Sequence, residues 1–257
     1  MAKPRLKDLF TGIKKVATEN MSSRRGSAVR CAVVHTTESA DGSLWNIVAY
    51  FQRRGIEASS HYVIADRPKD GERFCEVVQV VPEEMKAWTA RSANPVSVNY
   101  ELIGRAARTR DQWMRDYYVQ METCAALIAE DVIQYQLPVK RDYPGILGHC
   151  DLSAEGFPNN HWDPGPGFPW DVFLPMVERF VKELQAPEVK VVNAKGCPRP
   201  QGIPARIPAW AWALHAWMAS PKRDKGPRPT APRPIPAWFW VWRAWKLGIS
   251  HCEESKS

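Results

Sequence analysis

Four short apolar runs between Arg30 and Gly104 most restrict what this chain can fold into. Arg30 to His35 (RCAVVH), His61 to Ala65 (HYVIA), Phe74 to Val81 (FCEVVQVV) and Val98 to Gly104 (VNYELIG) each read as a buried strand. Segments of helical period separate and follow them. Ser43 to Arg54 repeats Leu44, Ile47, Val48 and Phe51 at helical spacing, and Gly55 stops it in C-cap fashion. Asp111 to Tyr135 reads as one long amphipathic helix ended by Leu137-Pro138. Trp170 to Leu184 reads as another, with Phe173, Val177, Phe180 and Leu184 on one face. Strands interleaved with helices of this length predict an α/β domain, a mixed central sheet covered by helices.

Charge divides the 257 residues in two. From Ala186 to Ser257 there are 12 lysines and arginines against 4 acids, a balance of +8. The rest hold 23 against 24, so the chain's whole +7 sits in its last quarter. That quarter also carries 11 of the 22 prolines and 7 of the 12 tryptophans. The expected layout is an N-terminal extension over 1–29, a catalytic domain over 30–185, a Pro-rich linker over 186–206, a Trp-rich repeat region over 207–248 and a tail over 249–257. No stretch approaches ~18 uninterrupted apolar residues, which argues against a membrane-spanning helix. Met1 to Lys15 lacks an apolar segment behind its basic residues, so no secretory signal is expected. The six cysteines show no CxxC spacing and read as reduced, mostly buried thiols.

Histidine is scarce, with six in the chain. His35 closes the first strand, His149 lies in Gly148-His149-Cys150-Asp151, and His161 and Asp163 sit in HWDPGPGFPW just before the last helix. Two imidazoles and one carboxylate leave one position of a tetrahedral Zn²⁺ open for water, as catalytic zinc requires. Spacing alone does not decide this, because ligands 114 residues apart carry no local signature. The competing reading seats each histidine in a hydrogen-bonded core or loop position.

Taken together, VVHTTES, SSHYVI, VVPEEMKAWTA, SVNYELIG, GHCD and HWDPGPGFPWD resemble, in order, the type-2 N-acetylmuramoyl-L-alanine amidase family, which includes bacterial and phage amidases and the peptidoglycan recognition proteins. The resemblance covers Arg30 to Leu184. It implies that family's fold and its zinc ligands, at His35, His149 and Asp163. It also places the family's catalytic Glu on Glu101, and His161 where relatives often carry Lys. Amide hydrolysis needs a nucleophilic water, oxyanion stabilisation and a proton for the leaving amine. Glu101 would take the water's proton, and protonated His161 would stabilise the oxyanion or protonate the amine.

This chain also departs from the family. The spacer between His149 and Asp163 is longer than in many relatives, which makes His161 a rival to Asp163 as the metal-facing group. Cys150 could offer a thiolate near the site, and Ser60 receives no role. His61 is expected to pack beneath the site rather than bind metal. Glu38 reads equally as a site wall or a solvated loop acid. Trp88, Asn94 and Arg105 could line a substrate groove, with a core aromatic the alternative for Trp88.

The tail contains an internal repeat of period 28, IPAWAWALHAW at 207–217 and IPAWFWVWRAW at 235–245. Pro in the first turn can open a short helix, which would gather Trp210, Leu214 and Trp217 on one face and Trp238, Trp242 and Trp245 on the other unit's. A two-helix mini-domain, a module for acidic cell-envelope polymers and an interfacial membrane helix all fit this pattern. The basic residues lie in Pro linkers without a nucleic-acid motif, so no specific nucleic-acid partner is expected. The combined expectation is a monomeric zinc-dependent hydrolase of the N-acetylmuramic acid–L-alanine bond in peptidoglycan. It resembles a phage endolysin that accumulates in the host cytoplasm and then reaches the bacterial cell wall. The alternatives are a wall-binding protein without catalysis and a cytoplasmic muropeptide-recycling amidase.

Overall fold

The structure is a computed structural model and describes residues 13–185. In chain order the elements are β1 (Lys14–Lys15), β2 (Met21–Ser23), β3 (Cys31–Thr36), α1 (Leu44–Gln52), β4 (Tyr62–Pro68), β5 (Cys75–Gln79), β6 (Met85–Ala87), β7 (Ser97–Leu102), α2 (Arg110–Asp116), α3 (Tyr118–Tyr135), β8 (Gly145–Gly148) and α4 (Trp170–Gln185). Short 3₁₀ turns at Arg91–Val96 and His149–Asp151 lead into β7 and out of β8. Six strands form one sheet in the order β1-β5-β4-β7-β3-β8, and β2 pairs with β6 in a two-stranded antiparallel ribbon. Every pair in the main sheet is parallel except β4 with β5. The predicted mixed α/β sheet flanked by helices is therefore present.

Alternation along the central strands sorts their residues between two faces. Ala32 and Val34 of β3, Val98, Tyr100 and Leu102 of β7, and Ile146 of β8 join the main core with Cys124, Leu127 and Ile128 of α3 and Phe173, Val177 and Phe180 of α4. Gln120 of α3 ties helix to sheet by donating to the carbonyls of Ile64 and Ile103. On the other face, Cys31 and Val33 of β3 and Leu147 of β8 pack with Ala90, Ala93 and Leu152 in a much smaller cluster. One face is thus almost wholly apolar, while the other has a small apolar floor and polar groups beyond it.

Three features differ from expectation. The long helix is two helices, because Tyr117 leaves helical geometry at φ −126°. Its hydroxyl donates to Asp41, and its ring lies under the Arg108 guanidinium 3.3 Å from the centroid, so a tertiary contact outweighs local periodicity. A capping box between Thr109 and Gln112 starts the first of the two. Residues 13–29, expected as an extension ahead of the domain, belong to it. β1 pairs with β5, and the buried Arg24 donates to the carbonyls of Glu83, Pro95 and Ser97. Thr18 and Asn20 satisfy the carbonyls of Phe51 and Arg53 at the end of α1. Finally, β1, β2, β6 and β8 were not expected as strands. The linker, Trp-rich repeats and tail over 186–257 lie outside the described residues.

Candidate metal centre

The parallel register brings distant residues into one row. His35 is paired with Glu101 across β3 and β7, and Val33 with both Asn99 and Leu147. Two residues beyond Leu147, His149 continues the same face into the turn after β8. Cys31-Val33-His35, Ser97-Asn99-Glu101 and Leu147-His149 therefore share the face opposite the large core, and their functional members stand at the carboxyl ends of parallel strands, where α/β sheets place ligands. The turn after Trp162 then returns Asp163 over this row.

Asp163, His35 and His149 converge. Their ligand atoms all lie within 4.8 Å of one another, and all three residues are buried. Nδ1 of His35 is 3.0 Å from Nδ1 of His149, and the Asp163 carboxylate lies 3.4 Å from the first and 3.2 Å from the second. Asn99 Oδ1 sits 3.0 Å from His35 Nε2 and accepts its N–H, which leaves the Nδ1 lone pair of neutral His35 directed into the cluster. The Thr36 N–H reaches Asp163 Oδ2 at 3.3 Å.

The electrostatics match this crowding. Burial opposes charge on His35, but the Asp163 hydrogen bond and the charges of Glu101 and Asp163 outweigh it and raise its pKa. Burial and the charge of His35 push His149 down to about 4. Asp163 is held well below the carboxylate range by both imidazoles despite its burial. Burial lifts Glu101 to about 7; His35 opposes the rise, while Asp163 and Glu38 add to it. Glu101 Oε2 and His149 Nε2 are buried without a hydrogen-bond partner, whereas buried polar groups are normally satisfied. Two imidazoles and an ionised carboxylate around one point form a donor set suited to a divalent cation of zinc's preferences, and a second carboxylate, Glu101, lines the same cavity with an unsatisfied oxygen.

These residues line a cavity of about 260 Å³. Its opposite wall is α1, which presents Ile47, Tyr50 and Phe51 at helical spacing, together with Trp88. His161 reaches the rim with its ring stacked on His149, centroids 4.1 Å apart, and Nδ1 3.7 Å from Asp163 Oδ1. Its side chain is 47% exposed, so between the two rivals Asp163 is the one inside the cluster. The long spacer is organised by Asn159, which donates to the His149 carbonyl and accepts from the His161 N–H.

Other candidates fall outside the cluster. His61 is fully buried beneath the site; its Nδ1 accepts the Asn99 N–H, so Nε2 donates to the Met85 carbonyl. Burial lifts the Cys150 thiol to about 11, and it lies against Asp151 and Arg141. Ser60 donates to the Asn99 carbonyl. Asn94 accepts from the backbone of Thr89 and Ala90 rather than lining the cavity, and Arg105 is exposed away from it. Trp88 lines the wall while its Nε1–H donates to Ser22. Asn99 and Asn159 went unrecognised in the sequence. Asn99 stands two residues before Glu101, so strand alternation could have found it.

Backbone approach holds the return loop in place. An added Cβ at Gly165, where φ is +85°, would lie 1.9 Å from the Ala106 carbonyl oxygen, and one at Gly167 would lie 2.1 Å from that of Arg108. The two glycines let the loop carrying Asp163 press against the segment after β7.

Comparison with known proteins agrees with this geometry. The family model for N-acetylmuramoyl-L-alanine amidases matches residues 25–166. N-acetylmuramoyl-L-alanine amidase A of Achromobacter lyticus is 25% identical over 181 residues, which span 66% of this chain and 95% of that protein. Among solved structures, the Staphylococcus aureus hydrolase AmiA in complex with its ligand superposes with a TM-score of 0.54 at 16% identity, over 66% of this chain and 83% of its own. A selenomethionine AmpD derivative gives 0.50 at 21% identity, over 69% of this chain and 99% of its own. At these identities the likeness is one of fold.

Proposed function

The chain belongs to the N-acetylmuramoyl-L-alanine amidase family, whose model covers more than half of it, and from that premise we propose that it hydrolyses the amide between N-acetylmuramic acid and L-alanine in peptidoglycan, with zinc held by His35, His149 and Asp163. The observation that carries this reading is the convergence of two imidazoles and an ionised carboxylate beside a buried Glu101 whose Oε2 has no partner. When bound, zinc supplies a Lewis acid that polarises the scissile carbonyl and acidifies water to a pKa of about 7.

The rest falls to the chain's own groups. Glu101 Oε2 takes the proton of the attacking water; a carboxylate lifted to about 7 by burial is a base matched to neutral conditions. Asn99 holds His35 in the tautomer that presents Nδ1. His161, anchored through Asn159 and stacked on His149, supplies a proton to the departing alanine amine or stabilises the oxyanion. The α1 wall excludes water from one side of the cavity.

The basic Trp repeats beside an amidase domain support a phage endolysin, synthesised in the host cytoplasm and acting on the cell wall, with the repeats directing it to an acidic envelope polymer or membrane surface. The test pairs metal content with release of free L-alanine N-termini from peptidoglycan, with and without chelator. One zinc per chain and chelator-sensitive release are expected; zinc without release would overturn the substrate, and absence of both would overturn the mechanism. His161→Ala should keep stoichiometric zinc but lose most turnover, and a variant that loses zinc would make His161 a ligand instead.

A further inference from the structure

Glu38 is the one carboxylate of the cavity that belongs to neither the metal cluster nor the base. It follows His35 by three residues and has a left-handed backbone, φ +52°, which a glycine would adopt more cheaply than a glutamate. Its Oε1 accepts from the Ala106 N–H at 2.7 Å and from the Thr36 hydroxyl at 2.8 Å. Both donors flank the site, since Thr36 also contacts Asp163 through its backbone and Ala106 abuts Gly165. One oxygen is thus fixed, and Oε2 has no hydrogen-bond partner among the described residues. The side chain is exposed and lines the cavity, and no described lysine or arginine lines it. A carboxylate with one fixed and one open oxygen, in a cavity lined by no described lysine or arginine, favours a positively charged N–H donor and repels a second carboxylate.

We propose that Glu38 is a specificity-determining residue that receives, on Oε2, an ammonium group of the stem peptide, so that peptides carrying a free amine are preferred over those in which it is blocked. This deepens the amidase reading and rests on it. The α1 wall opposite, with Tyr50 and Trp88, offers no charge to compete for that group.

The test uses two soluble muramoyl-peptides with lysine at the third stem position, one with its side-chain amine free and one with it acetylated. The unmodified protein should cleave the free-amine peptide with a kcat/KM roughly tenfold higher, the size expected of one charge-assisted hydrogen bond. Glu38→Gln keeps a carbonyl oxygen for Ala106 and Thr36 and should bring the ratio close to one, through KM for the free-amine peptide with kcat retained. An unchanged ratio in Glu38→Gln, or an equal loss on both peptides, would overturn the assignment. Calorimetric affinity for the same peptides reads the contact without turnover. A preference there that Glu38→Gln abolishes would support the contact even if no peptide is cut, in which case the amidase reading fails while this one stands; equal affinities would overturn it.

Discussion

The two faces of the same three strands have opposite tasks. On one face of β3, β7 and β8, Ala32, Val34, Val98, Tyr100, Leu102 and Ile146 are fully buried under two helices. On the other, one residue away along each strand, stand His35, Asn99, Glu101 and, just past β8, His149. The first face gains from removing apolar surface from water, about 25 cal/mol per Å². The second gathers histidines and carboxylates whose pKa values are moved by burial and by one another; the depressed His149 costs stability as pH falls and the raised Glu101 as pH rises. A period of two lets a six-residue strand do both, and it predicts that substitutions on the two faces will separate activity from stability.

Glu101→Gln should show the largest effect. Loss of a general base costs about 10²–10⁴-fold in kcat. Thermal stability should hold or rise slightly at neutral pH, because the charge of a buried carboxylate is removed while its shape is kept. A variant that keeps its rate, or that unfolds, would break the division between faces. Phe173→Ala is the counterpart on the other face. Phe173 is fully buried, and its truncation should cost about 3–5 kcal/mol in chemical denaturation while the folded fraction keeps its kcat and its zinc.

Asn99→Ala sharpens the comparison, since Asn99 neither packs the large core nor belongs to the metal cluster. Loss of the His35 Nε2 partner should weaken zinc by about 10–100-fold, read by competition with a chromophoric chelator. Unchanged zinc affinity would mean that packing alone orients His35.

Legibility in the sequence follows the same division. The large-core face could be read because its signal is local: β3, β4, β5 and β7 each contain an apolar run, and α4 repeats its buried residues with helical period. His35, His149, His161 and Asp163 were gathered by residue type and singled out by family resemblance, which alone named Glu101, and alternation accounts for why His35, Glu101 and His149 share a face. What escaped depends on distant partners. β8 is four residues with glycine at both ends, and only β3 makes it a strand. β1 and β2 are two and three residues long and exist through β5 and β6. Nothing local marks Arg24 for burial, yet its guanidinium finds four carbonyls up to 73 residues away. The break at Tyr117 needs Asp41, and nothing in the periodicity of that segment reports it.

The smallest predicted effect is one of proton linkage in the chelator-treated protein. His149 is depressed to about 4 when folded, against about 6.5 unfolded, so between pH 7 and pH 5 the unfolded chain gains a proton that the folded chain refuses, and stability falls. His35 has a raised pKa and acts in the opposite sense, its contribution being full below the unfolded value and lost as pH rises through the folded one. Glu101, lifted to about 7 when folded against about 4.3 unfolded, takes up its proton in the same interval and acts with His35, so the parent should show only the difference between His149 and these two groups, on the order of 1 kcal/mol. His149→Gln leaves His35 and Glu101, which act in the same sense, so stability should rise rather than fall from pH 7 to pH 5. Phe173→Ala, on the other face, should lower the whole curve and keep the parent's slope. If Phe173→Ala changed the slope, or His149→Gln left it unchanged, the proton linkage would not reside on the face that carries the site.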